Sequence, residues 1–137
     1  MIRYLFRRLG KSERGATMIE FAIVALLLFF LIFGIMEFAW ILLGHITLTG
    51  AVREGARQAV VSHYSGISEN DIKKVVMDHA WNLQFSEADI EVDLESSYGQ
   101  ETSVEVKEAE LPLLTGIFPF ISNPYVISEV KATMMHE

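Results

Sequence analysis

The chain has no cysteine. That excludes disulfides and any zinc–thiolate centre, whatever compartment the chain occupies. Its three prolines, Pro112, Pro119 and Pro124, all fall in one short stretch, so helices and strands elsewhere meet no proline break. Basic residues are scarce after residue 15: six, against seventeen acidic ones. Such a surface does not suit nucleic acid. The histidines, His45, His63, His79 and His136, have no helical or strand spacing that would make a metal site or a triad. No glycine-rich phosphate loop is present, because Gly50 and Gly55 fall in a helical stretch. These absences remove the usual signs of catalysis. The expectation is a protein that is no enzyme, with no cofactor, no metal and no small-molecule substrate.

Charge is also missing from residues 21–36, and there the absence is informative. Twelve of these sixteen residues are Leu, Ile, Val or Phe. At about −0.3 to −0.6 kcal/mol each, they favour insertion into a bilayer by roughly 4 to 7 kcal/mol. Phe38 to Leu43 extends the run past the ~20 residues that a bilayer core needs. Two carboxylates bracket it. Glu20 sits just inside one edge, and Glu37 can reach the opposite interface. An ionisable residue so close to hydrocarbon is a functional candidate, with a tolerated interfacial acid as the plain alternative.

Residues 1–15 carry five basic residues against Glu13, a net of +4, whereas residues 16–137 carry a net of −11. Basic flanks stay on the cytoplasmic side. The expectation is a cytoplasmic N-terminus, a span through the inner membrane, and an exported C-terminal part. A secretory signal is disfavoured, since the apolar run exceeds a 7–15-residue core and no small-residue cleavage site follows it. The Arg7–Arg8 pair alone does not make a twin-arginine signal.

A basic leader, Gly15, Glu20 five residues on and an apolar helix resemble the leader of a type IV prepilin. Gly34-Ile35-Met36-Glu37-Phe38-Ala39 and Ala51-Val52-Arg53-Glu54-Gly55-Ala56-Arg57-Gln58-Ala59 add a more specific likeness. Together they resemble the TadE-like pseudopilins of the tight-adherence (Flp) pilus system. The resemblance implies cleavage by a prepilin peptidase between Gly15 and Ala16, with Glu20 at the fifth and Phe21 at the sixth mature position. It implies a bacterial inner-membrane protein that partners other pilins or pseudopilins and the assembly machinery, in the fibre or at its base. Glu20, Phe21 and Glu37 become candidate assembly residues. The rival reading is an uncleaved, single-span anchor for an exported binding module.

Beyond the span, Leu48, Val52, Ala56, Ala59 and Val60 keep helical spacing. One helix from Ala16 to Tyr64 is expected, stopped near Gly66 and bent at Gly44 or Gly50. The expected divisions are a leader over 1–15, a transmembrane helix over 16–43, its extension over 44–65, and an exported domain over 66–137. Ala51, Gly55 and Ala59 recur every fourth residue, a pattern that admits either a second helix or the protein's own sheet. Arg53, Glu54 and Arg57 lie on the other face, solvated or paired between subunits; Glu54 and Arg57 are also spaced to pair with each other.

Ser68 can cap a second helix whose apolar face is Ile72, Val75, Val76, Ala80 and Leu83. Strict alternation over Asp89–Leu94 reads as a half-buried strand. Its acidic face does not suit calcium, because Leu94 stands where an EF-hand loop needs glycine. A turn at Ser97–Gln100, a second strand over Thr102–Ala109 and a third over Tyr125–Met135 follow, the last with Val126, Val130, Ala132 and Met134 on one face. The apolar connection Leu111–Pro124 is expected to pack beneath the domain as a short helical turn, the alternatives being a partner surface or contact with the membrane surface. The fold class is α+β and pilin-like: a long N-terminal helix, a second helix, and an antiparallel sheet of about three strands.

Overall fold

The computed structural model describes residues 13–94 and 101–135. The expected turn at Ser97–Gln100, most of the leader, and His136 lie outside the described residues. The fold is α+β, as expected. Helix α1 (Glu13–Ser65) leads to helix α2 (Glu69–His79) and then to strands β1 (Ile90–Asp93), β2 (Glu101–Leu111) and β3 (Tyr125–Met135). The chain forms two compact units, Met1–Met36 and Glu37–Glu137.

In the first unit every Leu, Ile, Val and Phe from Phe21 to Ile32 is exposed. A helix apolar on all sides and exposed among the described residues suits lipid rather than water. Among the described residues, α1 is the helix long and apolar enough to cross a membrane.

The second unit has a core of its own. From α1 come Leu48, Val52 and Ala56; from α2, Ile72 and Val76; from the sheet, Ile90, Val104, Val106, Ala109 and Ile127. Gly66 ends α1 with φ of 69°, and its N–H reaches the Ser62 carbonyl at 2.9 Å. Glycine takes that left-handed conformation without a Cβ penalty. Ser68 then caps α2 in a reciprocal box: its Oγ accepts from Asp71 N–H, and its own N–H donates to Asp71 Oδ2 at 3.1 Å.

The sheet is antiparallel in the order β1-β2-β3. Two strand details differ from the alternation expected. Asp89 belongs to a single 3-10 turn ahead of β1, where its carboxylate accepts from Ser86 N–H. And β3 does not keep one face. Val130, Ala132 and Met134 are half-buried, but Ile127 is buried and Val126 is exposed. The phase reverses at Glu129, whose φ is 43°. β2 reverses in the same place, from Val104 and Val106 to Ala109 and Leu111. Because both strands turn over together, the register is unbroken: Val106 faces Val130, and Glu108 faces Ser128. Period-two reading cannot foresee such a paired reversal.

The glycines of α1 do not break it; it runs unbroken through Gly44 and Gly50. A Cβ on Gly55 would lie 2.5 Å from Val76 Cγ2, and one on Gly44 would lie 2.8 Å from Leu111 Cδ2. These two positions let α2 and the end of β2 approach the helix closely. A Cβ on Gly50 would meet no other part of the described chain within 4 Å.

A paired substitution tests this packing. Gly50→Ala should stabilise the domain by up to about 1 kcal/mol through helix propensity. Gly55→Ala gains the same propensity but must displace the buried, branched Val76, at about 1–3 kcal/mol. Chemical denaturation of the full chain in detergent should therefore move the midpoints in opposite directions, and equal shifts would contradict the close approach.

Candidate assembly surface

The residues singled out by sequence fall into three groups. The first is Gly15, Ala16, Glu20 and Phe21. All four are helical, since α1 already begins at Glu13. Ala16 and Glu20 are exposed, and Phe21 is 72% exposed. Among the described residues Glu20 has no ion pair.

The second group lies on α1 within the domain. Ala51, Gly55 and Ala59 are buried, with the Gly55 position against Val76, Val104 and Ile72. Here the small residues admit the chain's own α2 and β2. On the opposite face the Arg57 guanidinium grips Glu54 with two bonds, Nε to Oε2 at 2.9 Å and Nη2 to Oε1 at 2.6 Å. Gln58 Nε2 adds a third donor at 3.1 Å. The hydrogen bonds from Arg57, then that from Gln58, hold the Glu54 carboxyl down at about 2, against burial, which works the other way. Arg57 is therefore committed within its own helix, while Arg53 is exposed.

The third is Glu37, and the structure places it where sequence reasoning did not. Glu37 is only 1% exposed. Its Oε1 accepts the Leu114 N–H at 2.9 Å, and its Oε2 accepts the Thr115 N–H at 3.0 Å. The Thr115 hydroxyl donates to Oε2 as well. One turn along, the Trp40 indole N–H donates to the Pro112 carbonyl at 2.9 Å. Gly116, with φ of 60°, turns the loop at this point. The carboxylate so holds the β2–β3 connection on α1. That connection forms no helical turn. It is extended and turning, with one short reversal where Ile121 N–H meets the Phe118 carbonyl at 3.1 Å. The only sequence sign of the contact was a carboxylate in an apolar helix, which calls for donors without naming them.

Gly15, Glu20, the apolar stretch and the Arg53–Arg57 block all belong to helix α1. Residues 15–57 match the family described as TadE-like protein. No curated protein and no solved structure matches the chain. The TadE-like segment thus takes in Gly15, Ala16, Glu20, Phe21, Glu37 and Ala51 to Arg57. It ends within α1, so α2, the sheet and the loop that grips Glu37 lie beyond it. Among the described residues no group of three or more histidines and carboxylates is placed to hold a metal.

Two measurements probe this surface. Glu37→Ala would leave the Leu114 and Thr115 N–H groups without an acceptor, at about 1–3 kcal/mol for an unsatisfied buried donor. Hydrogen exchange at those two amides should quicken by about 10-fold or more, with Val52 and Ala56 unchanged; unaltered exchange would refute the clamp. For Glu54, the folded value lies below the ordinary 4.5. The ion pair's contribution is thus complete above about pH 4.5 and fades as pH falls toward 2. A carbon-13 titration should place the Glu54 midpoint near 2, and Arg57→Ala should return it toward 4.5.

Proposed function

We propose that the chain is a pseudopilin-like assembly component of a tight-adherence (Flp) pilus. The observation that carries this reading is the TadE-like match over residues 15–57, the segment that holds the leader junction and the apolar helix. The uneven charge supports an N-terminus in the cytoplasm and residues 44–137 on the periplasmic side of a bacterial inner membrane.

In this reading a prepilin peptidase cuts between Gly15 and Ala16. Cleavage creates an ammonium on Ala16 at the membrane edge, where an unpaired charge is costly. Glu20 supplies the opposite charge, from a neighbouring subunit. Its exposure and its lack of an ion pair among the described residues leave it available to such a partner. Phe21 and the apolar stretch beyond it pack helix against helix. Arg53 is an exposed cation available for contact outside the membrane, whereas Ala51, Gly55 and Ala59 serve the domain's own core.

The test combines processing with assembly in cells that hold an active prepilin peptidase. Intact-mass analysis of protein from native membranes should show a chain starting at Ala16, and Gly15→Leu should abolish that species. Glu20→Gln should leave membrane level and cleavage normal but abolish crosslinks to other pilins. A native chain that keeps its leader would favour the uncleaved anchor instead. Wild-type pili on Glu20→Gln cells would refute the charge pairing alone.

A further inference from the structure

The β2–β3 connection, residues 112–124, has no Asp, Glu, Lys or Arg. It is a neutral, apolar island in a domain that is otherwise strongly acidic. Its backbone turns toward α1, since Leu114 and Thr115 N–H meet Glu37 and the Pro112 carbonyl meets Trp40. Leu113, Phe118 and Ile121 are half-buried, but three of its large side chains are left outside. Phe120 is 80% exposed, Leu114 52% and Ile117 43%. None of them belongs to the buried core.

What covers them follows from where the tether falls along the chain. Glu37 comes directly after the sixteen uncharged residues 21–36. A loop bonded to Glu37 and Trp40 is therefore held at the C-terminal end of the apolar run. Tryptophan favours the headgroup level of a bilayer, and neighbouring Phe38 is itself 69% exposed. We propose that residues 112–121 lie on the membrane surface at the C-terminal end of the span, with Leu114, Ile117 and Phe120 inserted among the lipids of that leaflet.

This rests on reading residues 16–43 as a membrane span. Irregular backbone is not tolerated against hydrocarbon, so the loop sits at the headgroup boundary and only side chains dip, by about 5–10 Å. The clamp suits that depth. It satisfies the Glu37 carboxylate with protein donors, and in doing so it turns two of the loop's N–H groups away from lipid. Proline at 112 and 119 removes two further donors.

The absence of cysteine allows a clean test on the full chain. Single substitutions Phe120→Cys, Leu114→Cys, Ile23→Cys and Ser128→Cys would each carry an environment-sensitive fluorophore. The labelled protein is reconstituted in phosphatidylethanolamine–phosphatidylglycerol vesicles. Emission at 120 and 114 should shift to the blue, be quenched by a nitroxide placed high on the lipid chain, and resist aqueous iodide. Ser128 should respond to iodide only, and Ile23 to a nitroxide deep in the chain. Iodide quenching at both 120 and 114, with Ile23 still quenched by lipid, would overturn the proposal and leave the span intact. Loss of lipid quenching at Ile23 would remove the span and the proposal with it. Protection at 120 and 114 from both quenchers, lost on diluting protein with lipid, would assign the loop to a second copy of the chain and overturn the proposal. Measuring two loop positions keeps one misfolded variant from deciding the outcome.

Discussion

A carboxylate in an apolar helix must find donors, and the arrangement of this chain turns on how Glu37 finds them. Two backbone N–H groups and a hydroxyl from a loop far along the sequence close around its oxygens. Ionised carboxylates accept such bonds strongly, and removing the donors would strand a buried charge. The loop cannot then drift from α1. The end of β2 is drawn in with it, so that Leu111 comes to rest over Gly44, where no side chain stands in the way.

Much of this was legible in the sequence. The apolar run, the caps at Gly66 and Ser68 and the alternation of β1 and of β2 as far as Val106 rest on local patterns, and these survive into the fold. The Glu37 clamp was not legible, for a physical reason. It pairs a side chain with main-chain donors 77 and 78 residues away, and almost every residue offers such a donor. The reversal in β3 was hidden as well. Glu129 takes a positive φ without being glycine, and the matching reversal in β2 keeps the same register on either side of it. The apolar connection was misjudged because hydrophobic composition ordinarily means burial. Here backbone N–H groups face inward, while Leu114, Ile117 and Phe120 stay exposed.

The stripe Ala51, Gly55 and Ala59 shows how one pattern serves two purposes. Small residues every fourth position admit any close neighbour, and spacing alone does not say whose. Within this domain the neighbour is Val76 of α2, with Val104 of β2 behind it. What remains exposed on that stretch of helix is polar, so contacts outside the membrane would run through charge, while contacts inside it would run through Phe21 and the residues that follow.

Glu37, Gly44, Leu48, Ala51, Gly55 and Ala59 follow one another at intervals of seven, four, three, four and four residues. They form one stripe down α1, and the domain holds the helix at both ends of it. An α-helix turns about 100° per residue. Adding or deleting a single residue between Glu37 and Leu48 would swing the carboxylate about 100° away from its loop while the core stayed seated. Even a whole-turn change of about seven residues would restore the direction only, because it would carry the carboxylate about 10 Å along the axis and out of reach of the loop. The outward faces of this segment can vary freely in composition. Its length cannot, and α1 works there as a ruler read from both ends.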